Sequence, residues 1–176
     1  MEPPLILTLM LDESSALYFN TLRKTHFPPE RNFLEAHLTL FHNLPAQGVD
    51  IIKEVEAFCK GQKAMTLEVS QVVSIGAGVA FKIQSPELEA LHKKLQQQWE
   101  QWLIPQDRQK LWPHITVQNK VSSEQARALQ LELAASFTPF SILGLGLSVW
   151  HYLGGPWRSA GDFQFGAGAE TGDRKG

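Results

Sequence analysis

Residues 5–11 read Leu-Ile-Leu-Thr-Leu-Met-Leu, apolar almost throughout, the pattern of a strand covered on both faces. Ser14 or Ser15 can cap a helix reaching about Thr25, with Leu17 and Leu22 turned inward, and Pro28-Pro29 blocks its continuation. An irregular stretch over 27–35 leads into a strand over 36–42, followed by a loop at 45–48. Asp50 caps a helix whose Ile51, Ile52, Val55, Phe58 and Cys59 form one stripe, and Gly61 ends it.

Met65, Leu67 and Val69 alternate with polar residues, as do Val79, Phe81 and Ile83, so the Gly76-Ala77-Gly78 between them predicts a hairpin. Ser85-Pro86 opens a helix with Leu88, Leu91, Leu95, Trp99 and Trp102 along one side. A polar loop over 104–110 delivers the chain to another strand at 113–117. Ser122 and Gln125 then make a capping box for a helix through about Ala135, with Ala126, Leu129 and Leu133 facing in. Residues 140–152 predict a long strand whose odd positions, Leu143, Leu145, Leu147 and Val149, are apolar. Its even positions run Gly144, Gly146, Ser148, Trp150 and Tyr152, a small-residue face ending in two aromatics that can floor a cleft. Gly154-Gly155-Pro156 turns into a last strand around 161–165, and 168–176, lacking any apolar period, reads as a disordered tail.

Two of these strands carry the same words, His37-Leu38-Thr39-Leu40 and His114-Ile115-Thr116-Val117. Alternation on a strand puts each His and Thr on one face, with the apolar pair anchoring them from behind. With six His and eight Thr in 176 residues, His-x-Thr is expected by chance roughly 0.3 times, and it occurs twice. The histidines lie 77 positions apart (114 − 37). The order strand, helix, strand recurs around them, which suggests two related halves.

Length fits one domain with a real core. The net charge of −2 lacks the positive footprint of a protein that grips long nucleic acid, but leaves room for a small phosphate ligand or an RNA end. No membrane span or secretory signal is expected. The single cysteine, Cys59, rules out an intrachain disulfide and a zinc cluster, and its apolar neighbours suggest a buried thiol and a cytoplasmic home.

If the two His-Thr faces meet across a cleft, one imidazole can remove a proton from an attacking oxygen while the other protonates the leaving one. The hydroxyls can hydrogen-bond the non-bridging oxygens. A phosphodiester suits that set best; no nucleophile with its own base and no carboxylate pair stands out. Phe41 shares parity with His37 and Thr39 and can stack on a base or pack in the core; Trp112, Trp150, Tyr152 and Trp157 offer the same alternatives. His42 has the opposite parity and reads as structural. His92 and His151 read as structural or solvated, and His26 suits a helix C-terminus.

On these two motifs, and on the order of elements around them across most of residues 1–167, the chain resembles the two-histidine (2H) phosphoesterase superfamily, in its 2′-5′ RNA ligase branch. The resemblance implies an α+β, two-lobed fold over 1–167, with pseudo-twofold antiparallel sheets forming a central cleft and helices packed outside. It implies His37 and His114 as the catalytic pair and Thr39 and Thr116 as phosphate-oxygen donors, with neither metal nor cofactor. By analogy His114 is the base and His37 the acid, although the roles can be exchanged. The expected activity is opening of a 2′,3′-cyclic phosphate or related phosphodiester at a nucleotide or RNA end, by a monomer. The alternatives are 2′-5′ RNA ligation or a non-catalytic module that binds such an end. Many relatives carry an arginine shortly after the second motif, where this chain has Gln118-Asn119-Lys120. Lys120 shares strand parity with His114 and Thr116 if the strand persists, and can contact a phosphate as a point charge.

Overall fold

The apolar N-terminal run forms β1 (Leu5–Leu11), buried over residues 5–9, and it pairs on both edges, with β2 (Leu38–Leu44) and with β6 (Phe140–Tyr152), both antiparallel. These relations come from a computed structural model that describes residues 2–166; the tail expected at 168–176 lies outside the described residues. β6 carries the sheet onward. Its first residues pair with β3 (Met65–Ser74) and the remainder with β7 (Trp157–Gln164). β3 forms the expected hairpin with β4 (Val79–Gln84), and β4 pairs with β5 (His114–Gln118). Gly78 is required there, because a Cβ would lie 1.9 Å from the Gln118 carbonyl oxygen.

The order β2-β1-β6-β3-β4-β5, with β7 joining β6, makes one curled antiparallel sheet, a half-barrel. Its two ends, β2 and β5, come into contact. The two lobes are thus continuous through β6 rather than separately hydrogen-bonded. Among the described residues four helices pack against the strands: α1 (Glu13–His26) on β5, α2 (Ile51–Lys60) on β6 and β7, α3 (Pro86–Gln98) on β3, and α4 (Ser123–Ala135) on β3 and β4. The architecture is α+β, as the resemblance implied. Asp50, Ser85 and Ser122 cap α2, α3 and α4 as read from sequence. No described helix is long and apolar enough to cross a membrane.

Four readings change. Asp12, not Ser14 or Ser15, caps α1: its carboxylate accepts from the Ser15 N–H at 3.2 Å and, across to β6, from the Leu143 N–H at 2.9 Å. The buried stripe of α1 is therefore Ser15, Phe19 and Arg23, while Leu17 is 67% exposed. In β6 the alternation slips: Ile142 and Gly144 are buried and Leu143 is exposed, where the pairing with β1 shifts register between Met10 and Leu11. Gly144 and Gly146 do not floor a cleft, for a Cβ at Gly146 would lie 2.3 Å from the Phe163 carbonyl oxygen of β7. Trp102 lies on a short 3-10 turn after α3 and is partly exposed, because the helix ends at Gln98.

Candidate active site

The two motifs sit at the ends of the sheet, on β2 and β5, and the curl brings these strands together. Each histidine is half-buried just at the start of its strand and is held the same way. His37 Nδ1 donates to the Glu35 carbonyl at 2.7 Å, and His114 Nδ1 to the Trp112 carbonyl at 2.8 Å. A carbonyl only accepts, so in the neutral ring Nδ1 carries the proton and the Nε2 lone pair is left for chemistry. Neither Nε2 has a partner among the described residues. Each ring also packs on a tryptophan, His37 on Trp157 at 4.6 Å between centroids and His114 on Trp112 at 4.4 Å.

Burial lowers the pKa of both imidazoles. At His37 burial is the largest cause, opposed by the bond to Glu35 and reinforced by the charges of Arg23, His114 and His42, which leaves it at about 4. At His114 burial again dominates, opposed by the bond to Trp112 and reinforced by His42. His114 is thus close enough for its charge to be felt at His37. Both rings are neutral near pH 7 with no anion present.

α1 reaches both motifs from one face. Asn20 Oδ1 accepts from the Ala36 N–H at 2.6 Å, at the entry to β2. Three residues later, Arg23 Nη1 donates to the Thr116 carbonyl at 3.2 Å and its Nε to Asn32 Oδ1 at 2.8 Å. Arg23 is 5% exposed, and burial lowers its pKa to about 10, still fully charged at neutral pH. Sequence reading passed over Arg23, although its spacing from Phe19 places it on the buried stripe of α1.

Two cavities meet at His37. One, of about 290 Å³, lies between Thr8, Phe33, Ser148, Trp150 and Trp157. The other, of about 430 Å³, carries His37, Thr116, Lys120, Tyr152 and Trp157 on its wall. Thr39 and His114 are half-buried and lie on neither wall. Tyr152 reaches the second cavity as one of the two aromatics ending the long strand. Lys120 reaches it by a different route from the one expected. β5 ends at Gln118, and Lys120 stands in the following turn at φ 60°, so turn geometry rather than strand parity aims it. A larger cavity of about 680 Å³ lies along α3 and the turns after it and contains neither motif.

Phe41 is not part of the site. The register of β2 against β1 shifts on either side of Leu7, so Leu40 and Phe41 both turn inward, and Phe41 stacks on His92 at 4.7 Å. His92 is buried and donates to the Leu40 carbonyl at 3.0 Å, a structural role. His42 pairs with buried Asp107 at 3.0 Å. That carboxylate also accepts from the His42 and Asn43 N–H groups; burial opposes its ionisation, but these bonds outweigh it and lower its pKa. Among the described residues no group of three or more His, Cys, Asp or Glu side chains can hold a metal ion.

A family model described as the 2′-5′ RNA ligase superfamily matches residues 11–156. The chain belongs to that superfamily. Its fold also superposes on solved structures. TT0787 of Thermus thermophilus superposes with a TM-score of 0.66 at 14% identity, over 93% of this chain and 98% of its own. E. coli LigT complexed with 3′-AMP gives 0.60 at 19% identity over 94% and 99%. A protein described as a phosphoesterase gives 0.58 at 19% over 93% and 99%. At these identities the likeness is one of fold. No curated protein sequence matches the chain.

Proposed function

We propose that this superfamily member is a phosphodiesterase that opens a 2′,3′-cyclic phosphate, or a closely related phosphodiester, at a nucleotide or RNA end. Water attacks phosphorus while one imidazole Nε2 takes its proton. A P–O bond to the ribose breaks, and the other imidazole delivers a proton to the departing oxygen, leaving a phosphomonoester. Thr39 and Thr116 steady the non-bridging oxygens of the pentacoordinate state, and neither metal nor cofactor is used. The larger pKa depression, at His37, favours His37 as base and His114 as acid, the exchange of the assignment made by analogy. Lys120 and Tyr152 contact the substrate beyond the reacting phosphorus. Ligation through a 2′-5′ bond is the same ring opening with the 5′-hydroxyl of a second RNA end replacing water as nucleophile: its oxygen bonds to phosphorus, the P–O bond to the 3′-oxygen breaks, and that oxygen takes the proton.

The observation that carries this reading is the convergence of β2 and β5 with both imidazoles held through Nδ1, so that two free Nε2 atoms come from opposite ends of one sheet. That LigT has been crystallised with 3′-AMP and with NADP+ supports a small nucleotide as ligand. The test is hydrolysis of nucleoside 2′,3′-cyclic phosphates followed by chromatography of the monophosphate. His37→Ala and His114→Ala should each cut kcat by about 10²–10⁴-fold while circular dichroism stays native. Near-normal turnover by the double variant would refute the proposal.

A further inference from the structure

The 430 Å³ cavity beside His37 is unusual for a chain of net charge −2. Three cations line it, Arg23, Arg31 and Lys120, and no carboxylate lines it among the described residues. Arg23 is the most informative of them. It is buried yet forms no ion pair among the described residues, and its two hydrogen-bond acceptors, Asn32 Oδ1 and the Thr116 carbonyl, are neutral. The Phe27 ring 4.1 Å below it supplies quadrupole attraction but no counter-charge. A guanidinium held out of water without a counter-charge is costly unless a ligand brings one. His37 and Thr116 stand on the same wall, so a ligand that fills the cavity adjoins the reaction centre.

We infer that this cavity is a second anion subsite, which holds a phosphate neighbouring the one that reacts. The preferred substrate then carries at least two phosphate groups, as a nucleotide with an additional terminal phosphate or as an oligonucleotide end, and is not a bare nucleoside cyclic phosphate. The inference rests on the phosphodiesterase reading, and deepens it. Arg23 supplies a fixed charge at the back of the subsite. Arg31, which is exposed, and Lys120, held in a left-handed turn, close it from the solvent side. The aromatic cavity on the other side of His37 is left for the nucleobase.

Calorimetric titration of the full chain with adenosine 3′-monophosphate and adenosine 3′,5′-bisphosphate tests the subsite without turnover. Wild type should bind the bisphosphate about tenfold more tightly, the gain expected for charge-assisted hydrogen bonds. Arg31→Gln and Lys120→Asn should each shrink that ratio, and the double variant should shrink it further, Arg23 alone holding what is left. Position 31 is exposed and asparagine tolerates the backbone at 120, so these variants fold. Equal affinities in wild type, no measurable binding of either probe, or a ratio unchanged in the double variant would overturn the subsite. Turnover is read separately, on adenosine 2′,3′-cyclic phosphate, its 5′-phosphorylated form, and a dinucleotide ending in the cyclic phosphate. Preference for the bisphosphate with no hydrolysis of any of the three refutes the phosphodiesterase reading and leaves the subsite standing. Hydrolysis of all three at equal kcat/KM refutes the subsite alone. A higher kcat/KM on the dinucleotide than on the 5′-phosphorylated mononucleotide identifies an oligonucleotide end as the source of the second phosphate, and the reverse order identifies a terminal phosphate.

Discussion

At the scale of single residues, the titration of the two imidazoles governs both catalysis and stability. Catalysis needs one ring neutral and one protonated, yet burial lowers both below the ordinary value near 6.5. The kcat/KM profile of the free enzyme should therefore peak on the acid side of neutrality and fall as pH rises through 6.5. The kcat profile should lie at higher pH, because a bound phosphate anion favours the imidazolium. Initial-rate kinetics from pH 4 to 8 check this; a flat profile contradicts it. Stability has its own sign. Between about 4 and 6.5 the unfolded chain binds a proton at His37 that the folded chain resists, so folding weakens as pH falls through that window. Discounted for partial exposure, His37→Gln should recover about 1–2 kcal/mol at pH 4 relative to pH 7 in urea titrations. The pairing of His with Thr was legible from alternation alone. The i−2 carbonyl bonds that set the tautomers were not, because they depend on backbone that precedes each strand.

At the scale of elements, two joints hold the start and the outer end of β2. Asp107, on a 3-10 turn (Pro105–Arg108), ties the outer end of β2 through two N–H groups and the His42 ring. Asp107→Ala leaves the part-buried His42 and Asn43 N–H groups without their acceptor and should cost about 1–3 kcal/mol, measured by chemical denaturation. Asn20→Ala removes the acceptor for the Ala36 N–H and lets the start of β2 drift, so kcat should fall about tenfold for a displacement well under 1 Å, with little change in melting temperature. The helix caps of α2, α3 and α4 were readable because capping is local chemistry. What pairing decides was not. The bulge that sends Phe41 inward, the phase slip at Leu143 and the start of β7 at Trp157, earlier than the 161 expected, all follow from cross-strand register. α1 shows both limits: Asp12 shifts the cap and hence the stripe, which brings Arg23 to the site and leaves Leu17 outside.

At the scale of the whole molecule, function depends on the curl of one sheet. β2 and β5 are distant in pairing order and meet because the five strand-to-strand steps between them turn the same way. The repeat of His-x-Thr hinted at two halves, but nothing local to either motif encodes their meeting; the strands between them do that, with α1 bonded to both ends. Because the proposed chemistry uses only imidazoles and hydroxyls, turnover should survive prolonged EDTA treatment within about twofold, and full restoration by added divalent metal after its loss would count against it. The most direct measurement is a histidine proton NMR titration with and without inorganic phosphate. If both imidazoles face one phosphorus atom, phosphate raises the pKa of His37 and of His114 together while His92, buried on α3 and outside both cavities, stays unchanged. A response at only one of the pair, or at neither under saturating phosphate, would contradict the account.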